Sequence, residues 1–172
     1  MEPAFEKDNY IETGMPKNTG EHFPDKVVTM REIEGRYRFV CDNRCELEVI
    51  AIDPKTIRFR FAPKGEFSDE FSYAIKEDLD QSGIKLEVKE GEKEFVLKTE
   101  SLVIFIGKMG LLIRVEDHDG FVLSQDEKGF HWYDNEDFGG ENVMLSRNIQ
   151  ARERLYGLGD VPGHKDLRGQ RR

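Results

Sequence analysis

The sequence predicts an all-β protein with the architecture of an antiparallel β-sandwich, and three observations support this fold class. Apolar and polar residues alternate strictly in residues 56–61, which places Ile57, Phe59 and Phe61 on one face of a strand. Turn-forming residues separate such segments at intervals of about 8–12 residues, the spacing typical of sandwiches and barrels. No window of useful length has the 3.6-residue period of an amphipathic helix.

The elements follow one another from a lead-in at the N-terminus. Residues 1–26 contain three prolines and two glycines among charged residues, which predicts an extended or irregular segment. A β-sandwich domain is predicted over residues 27–159. Its predicted strands are 27–30, 37–40, 46–51, 56–61, 84–88, 95–99, 102–106, 111–115, 121–123, 130–133 and 143–146.

Two turns stand out between the predicted strands. Residues 107–110 join two near-continuous apolar runs, which predicts a hairpin buried on both faces. Asp119-Gly120 predicts a hairpin turn with positive φ at both central positions. Residues 116–120 also resemble the start of a calcium loop. However, Lys128 stands where that loop needs a bidentate Glu, so the turn is the favoured interpretation.

Cys41 and Cys45 flank the turn-forming triplet Asp42-Asn43-Arg44. The pair predicts a hairpin bend with two free structural thiols. A cross-strand disulfide is an alternative that would be unusual in a reducing compartment. A metal site is a weaker alternative, because the sequence shows no further thiolate or imidazole nearby.

The composition bounds the function. Among 172 residues, 37% are hydrophobic and 35% charged, and twelve Phe, five Tyr and one Trp can supply a core. The net charge of −9 gives no electrostatic reason to bind nucleic acid. No apolar run is long enough to span a membrane, and the N-terminus lacks the apolar core of a signal peptide. We therefore expect a cytoplasmic protein without nucleic-acid or membrane partners.

The sequence presents no self-contained set of catalytic residues. Its histidines are scattered, at positions 22, 118, 131 and 164. Residues 130–133 (Phe-His-Trp-Tyr) fit either a sugar-stacking platform or core packing, and alternation favours a core with Phe130 and Trp132 buried and His131 and Tyr133 outward. The glycines at 157, 159 and 163 miss the spacing of a dinucleotide fingerprint. No metal or cofactor is predicted.

Residues 153–160 (Glu-Arg-Leu-Tyr-Gly-Leu-Gly-Asp), followed by Leu-Arg-Gly at 167–169, resemble the junction motif of glycoside hydrolase family 31. In that family, which includes α-glucosidases and α-xylosidases, this motif closes an N-terminal β-sandwich just before the catalytic barrel. Residues 56–61, 98–104 and 112–120 resemble three further family segments in the same order. The resemblance spans about residues 27–172.

The resemblance implies a sandwich of the galactose mutarotase-like type and a retaining α-glycosidase. The family's two catalytic aspartates lie in a (β/α)₈ barrel, which we expect beyond this sequence, with residues 160–172 as the start of the junction. No catalytic residue is therefore assigned here. The implied partners are the chain's own barrel and a carbohydrate substrate.

Asp160, His164 and Arg168 are the candidate site residues of the junction. Either they orient the substrate-pocket loop from behind, or they satisfy a polar interface between the two domains. Two other functions fit the same fold, a free-standing carbohydrate-binding module and a sugar epimerase of the mutarotase type. The epimerase requires converging histidines and a carboxylate, and the binding module predicts sugar binding that involves Trp132 or Tyr133.

Overall fold

The computed structural model describes residues 20–68, 84–135, 137–151 and 153–156, which form ten antiparallel strands in two sheets. The predicted all-β sandwich is confirmed. This part of the chain contains no helix, and hence none that could cross a membrane. The strands are β1 (Val27–Ile33), β2 (Arg36–Cys41), β3 (Glu46–Asp53), β4 (Thr56–Ala62), β5 (Glu87–Glu90), β6 (Glu94–Lys98), β7 (Leu102–Gly107), β8 (Ile113–Asp117), β9 (Val122–Asp134) and β10 (Glu141–Arg147).

The first four strands form one sheet in the order β1-β2-β3-β4, and the other six form a second sheet in the order β10-β9-β8-β7-β6-β5. The inner faces of the two sheets pack together. Phe39 of β2 meets Phe95 of β6 edge-on, with ring centroids 5.1 Å apart, and Phe61 of β4 stacks on Phe130 of β9 at 4.9 Å. The core between the sheets is completed by the buried residues Tyr37, Leu47, Val49, Leu97, Ile104 and Ile106.

Strand β9 corrects one prediction. Residues 121–123 and 130–133 were expected to be separate strands, but β9 runs unbroken from Val122 to Asp134. The pairing with β10 shifts between Ser146 and Arg147, so β9 accommodates two extra residues as a bulge. Gly129 has a φ of +69°, which lets the strand continue through this irregularity.

The strand predicted at 84–88 begins later, because β5 starts at Glu87. Two of the three preceding residues bond to the opposite sheet instead. The backbone N–H of Ile84 donates to the Ala51 carbonyl at 2.7 Å, and the N–H of Leu86 donates to the Tyr37 hydroxyl at 3.0 Å. Residues 84–86 therefore connect the two sheets before β5 joins its ladder.

The predicted hairpin β7–β8 forms, although its second strand begins at Ile113 rather than Leu111, and it is not buried on both faces. Ile104 and Ile106 are fully buried on the inner face, whereas Val103 and Phe105 of the outer face remain half-buried. The Arg114 guanidinium lies 4.1 Å from the centre of the Phe105 ring. A long side chain, rather than a further layer of structure, thus shields the outer apolar residue.

The turn at Asp119-Gly120 is a hairpin loop, but only Gly120 has a positive φ, of 81°. Asp117 and Phe121 close the loop through a backbone hydrogen bond of 3.0 Å. The Asp117 carboxylate also accepts the N–H groups of Asp119 at 2.9 Å and Phe121 at 2.8 Å. The Asp117 carboxylate thus stabilises the turn. A longer loop of this kind needs a positive φ only at Gly120, whereas the predicted two-residue turn needs it at both central residues.

The described end of the lead-in, residues 20–26, inserts into the six-stranded sheet. His22 forms an antiparallel bridge with Trp132 through backbone bonds of 2.8 and 3.0 Å, and Lys26 bridges Met109. Strands β8 and β9 pair directly only over Arg114–Glu116, so His22 occupies the next stretch of the β9 edge. The extended lead-in therefore satisfies backbone groups that would otherwise lack partners.

The Cys41–Cys45 turn holds this lead-in. Asn43 donates its side-chain N–H to the Phe23 carbonyl at 2.8 Å and accepts the Cys45 thiol at 3.2 Å. Both cysteines are free and buried, in agreement with the favoured prediction. The hydrogen bond with Cys41, together with burial, raises the pKa of the Cys45 thiol.

A charged ladder crosses the outer face of the four-stranded sheet. Arg38, Glu48 and Arg60 are directly opposite one another on β2, β3 and β4. The Glu48 side chain is fully buried, and its oxygens lie 2.8 Å from Arg38 Nε and 3.1 Å from Arg60 Nη1. The Phe67 ring lies 4.9 and 5.1 Å from the two guanidinium groups. This arrangement compensates a buried carboxylate that would otherwise strongly destabilise the fold.

We expect Glu48→Gln to lower the free energy of unfolding by about 3 kcal/mol, because it removes the negative charge that Arg36, Arg38 and Arg60 share. The control is Glu87→Gln, which removes an exposed pair with Lys89 and should cost less than about 1 kcal/mol. Urea unfolding of both variants measures the difference. Equal losses would contradict a dominant role for the buried ladder.

Candidate functional site

The candidate site lies where β10 ends and the junction motif begins. The Arg147 guanidinium forms an ion pair with the Glu153 carboxylate, whose other oxygen accepts the Gln150 backbone N–H at 3.0 Å. The N–H of Glu153 in turn donates to the Gln150 carbonyl at 3.0 Å. We call residues 147–153 the junction anchor, leaving aside residue 152, which lies outside the described residues. The first residue of the motif thus fixes a turn directly after the last strand.

The junction anchor is also tied to β9. The Asn148 backbone N–H donates to the Gln125 carbonyl at 2.8 Å, and its side chain donates to the Asp126 carbonyl at 3.3 Å. The Asp126 carboxylate accepts the Ile113 N–H at 2.9 Å. Burial raises the pKa of this carboxyl, although the Ile113 N–H and the charge of Arg147 oppose the shift. The anchor therefore connects β8, β9 and the residues that follow β10.

An apolar groove of about 530 Å³ opens beside the anchor. Its walls are the start of β9 and the turn after β10. Phe121 is 66% exposed and Leu123 45% exposed, which is unusual for such large apolar side chains. The lining residues are Phe121, Val122, Leu123, Gln150, Ala151 and Glu153. The only ionisable group among them, Glu153, already bonds within the anchor, so the groove suits an apolar surface better than a reacting sugar.

The sequence-predicted site residues Asp160, His164 and Arg168 lie outside the described residues. Their two interpretations, pocket orientation and interface, stay predictions. Sequence reasoning missed Arg147 and Asp126. The opposite charges of Arg147 and Glu153 offered a weak sequence signal for an ion pair. Asp126 lies opposite Arg147 only because of the β9 bulge, which has no clear sequence signature.

Two histidine–carboxylate pairs occur in the described ranges, on opposite faces of the six-stranded sheet. His22 Nε2 lies 3.1 Å from Asp134 Oδ2, on the inner side with Trp132. His131 Nε2 lies 3.5 Å from Glu21 Oε1, on the outer side. A sheet separates the two pairs, so they cannot act together on one sugar ring.

His118 lies in the β8–β9 loop, where its Nε2 is 3.1 Å from the Thr99 carbonyl oxygen. His164 lies outside the described residues. None of the three described histidines therefore converges with another on a shared carboxylate. Within the part of the chain that the structure describes, no group of three or more His, Cys, Asp or Glu side chains is arranged to hold a metal ion.

The aromatic cluster at residues 130–133 packs mainly as the sequence favoured. Trp132 is only 7% exposed and contacts Phe61, with ring centroids 5.7 Å apart. His131 points outward, as predicted, but it is 2% exposed because Phe23 of the lead-in stacks on it at 5.6 Å. Trp132 consequently offers no open ring face to a sugar, and Tyr133 is half-buried.

Comparisons with known proteins agree with this architecture. A family model described as the glycosyl hydrolase 31 N-terminal galactose mutarotase-like domain matches residues 46–172. No curated protein matches the chain closely enough to be counted as a relative.

Solved structures share the fold. A dextranase of glycoside hydrolase family 31 from Flavobacterium johnsoniae superposes with a TM-score of 0.68 at 18% identity, covering 86% of this chain and 18% of that one. The cycloalternan-forming enzyme from Listeria monocytogenes superposes with a TM-score of 0.72 at 17% identity, covering 88% of this chain and 14% of that one. The chain thus spans less than a fifth of the length of either enzyme.

We expect Asp126→Asn to raise the melting temperature at neutral pH. The raised pKa means that the folded state holds the proton more tightly than the unfolded state, so the ionised carboxylate opposes folding. This unfavourable contribution is absent below the ordinary aspartate pKa of about 3.9 and grows as the pH rises through the folded pKa.

Thermal melts at neutral pH and below about pH 4 test this expectation, since the gain should disappear in acid. The exposed Asp119→Asn is the matched control and should show no comparable gain. A gain for Asp126→Asn that persists unchanged in acid would contradict the burial effect.

Proposed function

The chain belongs to the glycosyl hydrolase 31 N-terminal galactose mutarotase-like domain family, and from this we propose that it is the non-catalytic β-sandwich of a retaining α-glycosidase resembling the α-glucosidases. In this proposal the sandwich supports a catalytic barrel and helps to shape the substrate entrance. The barrel and a carbohydrate substrate are its partners. The larger enzyme hydrolyses O-glycosyl bonds, and the sandwich itself hydrolyses nothing.

One observation carries the proposal. The family match is continuous from residue 46 to residue 172, so the strands β3 to β10 and the junction motif belong to a single family unit. The junction anchor supports the same conclusion, because Arg147 and Glu153 fix the direction in which the chain leaves the sandwich. A junction held in this way can transmit the orientation of one domain to the next.

The apolar groove supplies the docking surface for the barrel. Phe121 and Leu123 are exposed, and they line the groove together with Gln150 and Glu153 of the junction anchor. Apolar surface exposed at such a point marks an interaction site. In this proposal Asp160, His164 and Arg168 either orient the pocket loop or complete the polar rim of the interface.

Neither alternative function gains a specific observation from the described residues. A free-standing carbohydrate-binding module was expected to stack a sugar on Trp132 or Tyr133, yet Trp132 is buried and Tyr133 is half-buried. A mutarotase-like epimerase needs converging histidines, yet His22 and His131 lie on opposite faces of a sheet. NMR titration of the chain with glucose and maltose distinguishes the binding module, which predicts shifts at Trp132 and Tyr133.

The purified chain is expected not to hydrolyse p-nitrophenyl α-glucoside, because in this proposal the two catalytic carboxylates that flank the scissile bond belong to the barrel. A chromogenic assay at several pH values measures turnover. Release of p-nitrophenol above the background of a heat-denatured sample would contradict the proposal.

Phe121→Asp in the intact enzyme is expected to weaken docking of the sandwich on the barrel by about 2 kcal/mol, because a charge replaces a large apolar side chain in the groove. The matched control is Phe138→Asp at the tip of the β9–β10 hairpin, where the ring is 90% exposed. Limited proteolysis should cut the junction faster in the first variant only. Equal cleavage of both variants would show that the groove is not the docking surface.

A further inference from the structure

Strand β10 forms an edge of the six-stranded sheet. It pairs with β9 along one side, and no other described strand pairs with its second side. The backbone N–H and C=O groups on that side form a row to which another strand can add. Most natural sheet edges are blocked by charges, prolines or short strands, whereas β10 is seven residues long and has an apolar centre.

Three consecutive apolar residues form that centre. Val143 is 44% exposed, Met144 49% and Leu145 53%. Because side chains alternate along a strand, Val143 and Leu145 project from the inner face and Met144 from the outer face. Apolar side chains on both faces of an unpaired edge are the feature that native proteins avoid unless the edge is covered.

The inner face of β10 is open because the opposite sheet is too narrow to reach it. β4 is the edge of the four-stranded sheet, and its Phe61 stacks on Phe130 of β9. Val143 and Leu145 lie one strand further out, directly opposite Trp132 and Phe130 in the β9–β10 ladder. Among the described strands, none of the four-stranded sheet lies beyond β4 to cover them.

The ends of β10 carry opposite charges at equal distances from its centre. Glu141 is three residues before Met144, and Arg147 is three residues after it. An antiparallel copy of the same strand, centred on Met144, would therefore place Glu141 opposite the partner's Arg147 and Val143 opposite the partner's Leu145. We propose that β10 pairs in this way with β10 of a second copy of the chain, about a twofold axis through Met144.

The neighbouring charges fit the same arrangement. Lys64 bonds to Glu141 on one side, and Glu153 bonds to Arg147 on the other. Pairing lines up Lys64, Glu141, the partner's Arg147 and the partner's Glu153, so that the sign alternates at every step. The twofold axis repeats the row at the other end. Opposite charges directly across a strand pair stabilise it, and like charges destabilise it.

The self-complementary pattern is what favours a second copy over an unrelated strand. A twofold interface uses the same surface on both partners, so one strand must match its own reversed sequence in charge and in apolar character. β10 meets this requirement at every pair: charged with charged, Asn142 with Ser146, Val143 with Leu145, and Met144 with itself. The shared edge would also bring Val143 and Leu145 of both copies into one apolar cluster.

Sedimentation equilibrium of the chain over a range of concentrations tests the proposal, with Met144→Lys as the disrupting variant. The expected result is a monomer–dimer equilibrium for the unmodified chain and a monomer for Met144→Lys, because two lysines would meet on the axis. The matched control is Met109→Lys, the same substitution at a side chain that is 61% exposed in the β7–β8 turn. It should dimerise like the unmodified chain.

A charge exchange tests the register. Glu141→Arg and Arg147→Glu each turn two attractive pairs into two repulsive pairs, so each should raise the dimer dissociation constant by about tenfold. The double variant restores complementary pairs and should recover most of the affinity. Thermal melts identify any variant that is damaged in its own fold through loss of the Lys64 or Glu153 contact.

Hydrogen exchange gives a readout that needs no variant, since the amides on the free edge of residues 141–147 should become more protected as the concentration rises.

A chain that stays monomeric at its highest soluble concentration overturns the proposal. So does a dimer that Met144→Lys leaves intact, and so does a double charge variant that dimerises no better than either single variant.

Discussion

The difference in width between the two sheets is the constraint on which the rest of the structure depends. Four described strands cannot cover the inner face of six. The contact of Phe61 with Phe130 shows that the four-stranded sheet covers β9 but not β10. Inside that limit, Trp132 is buried. One strand further out, the apolar side chains of Val143 and Leu145 are exposed to solvent. The overhang explains why this fold buries a complete core and still exposes apolar surface on its last strand.

A second gap, inside the six-stranded sheet, is closed by the lead-in rather than by a strand of the sheet. β8 pairs only with residues 122–125 of β9. Further along β9, the backbone of Trp132 pairs with His22 instead. This segment has little apolar pattern of its own. Its position is held from outside by Asn43, which bonds both to Phe23 and to the Cys45 thiol. The turn between β2 and β3 in one sheet therefore controls how the other sheet is completed.

The alternation of residues 56–61 and the clusters of turn residues were sufficient to predict the fold class, because both depend on local geometry. Most of the predictions that were wrong, apart from the φ values of the Asp119-Gly120 turn, depend on contacts distant in sequence. Ile84 and Leu86 leave the predicted strand because Ala51 and Tyr37 offer them partners in the other sheet. Glu48 stands in an alternating strand like any outward acid, and its burial follows only from the register that places two arginines beside it.

The candidate site was only partly predictable for the same reason. The junction motif drew attention to Glu153, but not to its partner on the preceding strand. Arg147 belongs at once to the junction anchor and to the end of β10. Its guanidinium has enough donors to bond a second carboxylate while it keeps Glu153. If a partner's Glu141 approaches along the edge, the residue that holds the turn after β10 is fixed more firmly. Pairing at the edge and the geometry of the junction anchor would then be coupled through one side chain.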